Sequence, residues 1–164
     1  MRSSIGLAAT PLARLGALAE RQFASPAESI RAALEVACAL TGHAAALLAE
    51  RRDGAWIVAA VCGESFGLAA GDPVPLADLL PAGPLALAPI VIGDMDEWRR
   101  GHDVEPAAPW SRLGAATIAP LPASDMLDAA ALLTGDARPG LPSADAIDGL
   151  RVLARVLAAD RAQA

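Results

Sequence analysis

Apolar positions recur at helical spacing towards both ends of this chain and at strand spacing between them. Leu12, Leu15, Leu18 and Ala19 form a stripe at three- and four-residue steps behind Thr10-Pro11, a pair suited to the N-cap and first position of a helix. This first helix is expected to run to about Gln22. Ser25-Pro26-Ala27-Glu28 opens a second, because the serine hydroxyl can cap the third helical amide while Glu28 reaches back to the serine amide. It should end at Gly42, with Ile30, Ala33, Leu34, Ala37, Cys38 and Thr41 facing inward and Arg31 paired with Glu35 one turn on. After a Gly- and Pro-rich linker, Gly135 to Pro142, Ser143 caps a last helix whose stripe is Ile147, Leu150, Leu153, Val156 and Leu157.

Between these helices the period shortens. Ala45 to Glu50 and Ala55 to Cys62 are apolar runs joined by Arg51-Arg52-Asp53-Gly54, and Asp-Gly between two such runs is a hairpin signal. Strict alternation puts Trp56, Val58, Ala60 and Cys62 on one face and Ile57, Ala59 and Val61 on the other, which reads as a central strand buried on both sides. Residues 63 to 84 form an irregular middle with a helical turn at Leu76 to Leu80. Leu85 to Ile92 is a third strand, with Pro89 placing it at an edge or bulge. Asp94 to Arg100 is acidic first and basic last, the order a short helix prefers given its dipole. Ala115 to Leu121 and Leu127 to Thr134 read as a second hairpin. The order predicts an α+β fold, a five- to six-stranded antiparallel sheet with N-terminal and C-terminal helices packed on one face.

The 164 residues suit one domain, residues 10 to 162, behind an N-terminal tail of residues 1 to 9. The mean hydropathy of +0.40 would point to a membrane, but alanine supplies 41 of the apolar residues. The most apolar stretch, Pro84 to Gly93, carries two prolines and falls short of the ~20 residues a spanning helix needs. Ile5 to Ala9 is too short for a secretory signal, so a cytoplasmic chain is expected, and the excess of Ala with Arg as the only strong base suits a GC-rich bacterial genome. A net charge of -6 with no Lys at all opposes nucleic-acid binding, which needs a basic stripe against phosphate. Cys38 and Cys62 form no C-x-x-C pair and are expected to be reduced, buried thiols.

Trp110-Ser111-Arg112-Leu113-Gly114-Ala115-Ala116-Thr117-Ile118-Ala119-Pro120-Leu121 resembles the fourth strand of GAF domains, and Leu85 to Asp94 is similar to the strand before it. PAS and profilin-like folds also place helices against a five-stranded sheet; the two leading helices favour GAF. The resemblance implies a sensory or regulatory module that binds a small molecule non-covalently. Its pocket candidates are Trp98, Trp110, Arg112, Asp94 and Cys62, tryptophan offering an apolar body and arginine a fork for carboxylate or phosphate. The alternative for both tryptophans is packing beneath a loop. The resemblance implies no cyclic-nucleotide motif, since Asn and Lys are lacking, and no covalent bilin, since residues 85 to 115 hold no cysteine. The cofactor is therefore unknown; haem would need His43 or His102 as axial ligand and is not expected.

Catalysis has thin support. Methionine sulfoxide reduction, known in the family, needs a pocket thiolate and a resolving thiol, and Gly63-Glu64-Ser65-Phe66-Gly67 matches G-x-S-x-G in letters but lacks the helix a nucleophile elbow requires. Asp94, Glu97 and His102 have no recognised metal-ligand spacing. No enzyme activity and no metal are expected. A homodimer through the terminal helices, and a protein partner carrying the output, complete the expectation; a degenerate GAF-fold scaffold acting only in protein interaction or dimerisation is the alternative.

Overall fold

The computed structural model describes residues 11–20, 25–64, 66–80, 88–102, 110–122 and 129–163. Their order is α1 (Pro11–Glu20), α2 (Pro26–Thr41), β1 (Ala45–Arg52), β2 (Ala55–Gly63), a 3-10 turn (Leu76–Asp78), β3 (Ile90–Ile92), α3 (Met95–His102), a second 3-10 turn (Trp110–Arg112), β4 (Ala115–Pro120), β5 (Ala130–Asp136) and α4 (Ala144–Gln163). The two serine hydroxyls cap as read, while Thr10, expected to cap α1, lies outside the described residues. The Ser25 hydroxyl accepts from the Glu28 amide at 3.2 Å, and Ser143 does the same for Ala146 at 3.1 Å. Gly42 stops α2 in the left-handed conformation and returns its amide to the Cys38 carbonyl at 2.8 Å. The Arg31–Glu35 pair expected on the outer side of α2 is absent from the ion pairs among the described residues; both side chains are exposed, where such a pair gains little over water.

All strand pairs are antiparallel, in the order β2-β1-β5-β4-β3. This corrects the position of β2, which is an edge strand, while β1 is an interior strand and fully buried over Ala45–Ala49. The long apolar run of β2 has a different cause. Residues 71–74 lie along its outer side, Val58 donating to the Asp72 carbonyl at 2.9 Å and Val74 to that of Trp56 at 2.9 Å, so the edge is covered rather than paired with a further strand. The third strand is also shorter than read. It starts at Ile90, just past Pro89, which has no amide to give a ladder, and residues 85–87 lie outside the described residues.

A bulge divides β2. Leu48 faces Ala60 but Ala49 faces Val58, so Ala59 is one residue too many and the side chains after it change face. Trp56, Val58 and Val61 therefore share one side of the sheet, and Ala60 and Cys62 the other, against the strict alternation expected.

The sheet thus carries a core on each face. On one, Leu15 and Leu18 of α1, Ala33, Leu34, Ala37 and Leu40 of α2, and Leu150, Leu153 and Leu157 of α4 pack on Ala46, Leu48, Ala119 and Leu132. On the other, Leu47, Ala116, Ile118 and Leu133 lie under Val74, Leu76, Ile92, Met95 and Trp110. A buried polar seam crosses the helix side. His43 Nδ1 lies 3.0 Å from the Thr134 hydroxyl, which bonds that of Thr117 on the neighbouring strand. Burial pushes the His43 imidazole below its ordinary value, against the opposing pull of Asp136.

Glu50 fastens the end of α4 to β1. Its carboxylate accepts from Arg161 at 2.8 Å and from Arg52 at 2.6 Å. Burial alone would push this carboxyl up, but the two arginine hydrogen bonds and charges win, and the group sits below its ordinary value. A depressed carboxyl stabilises the fold above its unfolded pKa and loses that contribution as the pH falls through the folded value. Arg161→Ala is expected to cost roughly 1–3 kcal/mol at neutral pH. In chemical denaturation the difference between Arg161→Ala and the parent should then shrink as the pH drops below about 4.5, the ordinary value for this group. A constant difference down to strongly acid pH would show that the pair carries no such term.

Candidate functional site

The described residues hold an apolar hollow on the face of the sheet away from the main helices. Leu47, Val61 and Leu133 form its floor, with Ala45 and Gly135 at one end, and Phe66, Leu68, Trp110 and Leu113 form its walls. Its empty volume is about 310 Å³, a figure that includes the open solvent at its mouth. The floor follows from alternation along β1 and β5. The walls come from two irregular segments that the strands bring together.

Each wall is braced. The indole of Trp110 is 1% exposed and donates to the Pro75 carbonyl at 3.1 Å, while its own carbonyl accepts from Arg99 Nη1 at 2.9 Å. Arg99 also pairs with Asp96, so α3 acts as a strut for the Trp110 turn. The helix is in turn pinned by the Met95 amide on the Gly114 carbonyl at 2.8 Å. On the opposite wall Phe66 adopts φ 52°, left-handed for a bulky residue, followed by Gly67 at 87°. A conformation of that kind costs on the order of 1–3 kcal/mol and persists only where the surroundings hold it.

Of the five candidates read from sequence, Trp110 lines the hollow. Arg112 is exposed and is not among the lining residues; its Nη1 would lie 2.9 Å from a Cβ on Gly67, the residue between Phe66 and Leu68 of the wall. The other three are placed elsewhere. Trp98 stacks on His102 with centroids 4.2 Å apart, and packs on the outer part of the same core. Asp94 is exposed, and its carboxylate accepts from the Asp96 and Glu97 amides at 3.1 and 3.2 Å as the cap of α3. Cys62 lies on the helix side of the sheet because of the bulge at Ala59. Sequence reading passed over Phe66, Leu68, Leu113 and Arg99. Leu47 and Leu133 could have been found by following alternation from the pocket face, but the walls lie in segments with no period to follow.

Catalytic and metal chemistry gain no geometry here. Among the described residues no three His, Cys, Asp or Glu side chains gather as metal ligands. The Gly63–Gly67 string follows a strand of an antiparallel sheet and enters a turn, and Ser65 itself lies outside the described residues. No described helix is long and apolar enough to cross a membrane.

No protein-family model and no curated protein sequence matches this chain. Solved structures do. The GAF domain of a proposed sensor histidine kinase from Pseudomonas syringae pv. tomato superposes with a TM-score of 0.65 at 22% identity, over 98% of this chain and 90% of that one. The phycocyanobilin-bound GAF domain of a cyanobacterial phytochrome gives 0.69 at 17% identity, over 95% and 96%. The chromophore-binding domain of an unusual bacteriophytochrome from R. palustris gives 0.70 at 14% identity; the match covers 99% of this chain but 62% of that longer one. Element order, sheet order and these superpositions over nearly the whole chain together show that the protein has the GAF fold.

Proposed function

We propose that this chain is a GAF-type sensory or regulatory module that binds a small molecule non-covalently in the hollow under Trp110 and signals through a partner protein. The observation that supports the reading is the hollow itself, an apolar floor and walls, with the Arg112 guanidinium beside Gly67 between two wall residues. Among the described residues Arg112 makes no hydrogen bond or ion pair, so its donors are available to an incoming acid group. The favoured ligand class is a compact apolar body carrying one carboxylate or phosphate. Such a ligand would draw the Phe66–Leu68 and Trp110–Arg112 segments together, a population shift that the braced α3 passes outward. Cytoplasmic signalling, with dimerisation through α1 and α4, belongs to the same proposal; Val152 of α4, 45% exposed, supports an exposed contact on that helix.

The small size of the hollow favours a second reading, a scaffold whose pocket is closed and whose helices alone bind protein. Native mass spectrometry of the chain purified from its own cells separates the two. A stoichiometric small molecule is expected, and Arg112→Ala should weaken its binding roughly tenfold or more, as loss of a charge-assisted hydrogen bond implies. A ligand-free chain that co-purifies with a protein would sink the sensor reading.

A further inference from the structure

We propose that Cys38 and Cys62 are a redox-active dithiol that closes to an intramolecular disulfide on reaction with a hydroperoxide, clamping α2 onto the edge strand β2. The placement follows from the chain path. Cys38 supplies the carbonyl that closes α2 through the Gly42 amide, so it sits one turn from the helix end. Only Gly42, His43 and Ala44 separate that end from β1, whose second residue, Ala46, is the register partner of Cys62. The bulge at Ala59 then turns Cys62 towards the helices. Both thiols are unbridged, half-buried and packed against the same core, on the helix side of the sheet. Small oxidants can therefore reach two neighbouring thiols, one on each of two elements that already pack against each other.

Burial, then the neighbouring Cys62 and Glu35, push the Cys38 thiol up to about 11, so it stays protonated at neutral pH and suits the resolving role. Cys62 is the first nucleophile. Its thiolate attacks the terminal oxygen of the hydroperoxide, the O–O bond breaks, and the departing alkoxide takes the proton that Cys62 released. The Cys38 sulfur then attacks the Cys62 sulfenic acid, the S–O bond breaks, and the Cys38 proton leaves with the hydroxide as water. Two thiols are oxidised to one disulfide and one hydroperoxide is reduced to an alcohol and water. Val61, next along β2, lines the hollow on the opposite face, so the clamp fixes the strand that forms part of the pocket floor.

The test treats the reduced full-length chain with a modest molar excess of hydrogen peroxide and reads intact mass, thiol content after denaturation, and peptide maps. The expected result is loss of both thiols, a mass lower by two hydrogens, joined Cys38 and Cys62 peptides, a monomer on a non-reducing gel, and full reversal by dithiothreitol. In Cys38→Ser a sulfenic acid at Cys62 should be trapped by dimedone, and in Cys62→Ser oxidation of Cys38 should be at least tenfold slower. Thiols that remain free, sulfinic acids without a cross-link, or a disulfide formed only between chains would each overturn the proposal.

Discussion

Gly63→Ala is expected to remove a large share of the stability of the fold. Gly63 closes β2 at φ +80°, in the left-handed region, and a Cβ there would stand 2.1 Å from the Ala44 carbonyl oxygen and 3.2 Å from its carbon. The obstacle is backbone, so no rotamer change relieves it. Relief requires the start of β1 to move away, which breaks the Glu64 amide bond to Ala44 at 3.0 Å and the Ala45–Gly63 pairing. Strain and lost pairing together should exceed about 3 kcal/mol, a large share of the ~5–15 kcal/mol that holds a domain of this size. Gly71→Ala is the control. It has φ +94° but nothing within 4 Å of a Cβ, so it should cost only about 1 kcal/mol. Urea denaturation of both variants decides the matter, and equal losses would mean that the close approach at Gly63 does not limit stability.

Trp110→Ala is the second large effect, at roughly 3–5 kcal/mol. The ring is almost wholly buried between the sheet and the Val74–Leu76 segment, and removing it leaves the Pro75 carbonyl without its indole donor. Trp110→Phe keeps most of the apolar contact and loses the hydrogen bond, so it should fall between the parent and alanine, about 1–2 kcal/mol down. The alanine variant also opens one wall of the hollow, so any ligand seen by native mass spectrometry should be lost together with the stability. A cost below about 1 kcal/mol for Trp110→Ala would show that the ring is a lid rather than part of the core.

Much of this architecture was legible because local chemistry and tertiary packing agree. Ser25 and Ser143 cap the helices they precede, Gly42 ends α2, the first hairpin turns at Asp53-Gly54, and β4 pairs antiparallel with β5. The pocket was legible only in part. Trp110, which lines the hollow, stands in the family pattern read around β4, whereas Phe66, Leu68 and Arg99 stand in segments whose spacing carries no periodic signal.

The amino-acid sequence by itself determined the elements, their order and the α+β class, since caps, turn residues and hydrophobic period act over a few neighbouring residues. Only the tertiary structure decided which strand is the edge, which face each side chain of β2 takes, and what meets across the sheet. The bulge at Ala59 is the physical reason in one residue. An extra residue in a period of two reverses every face beyond it, sending Cys62 to Cys38 and leaving Val61 in the pocket floor, and its presence depends on pairing with β1 rather than on anything local in β2.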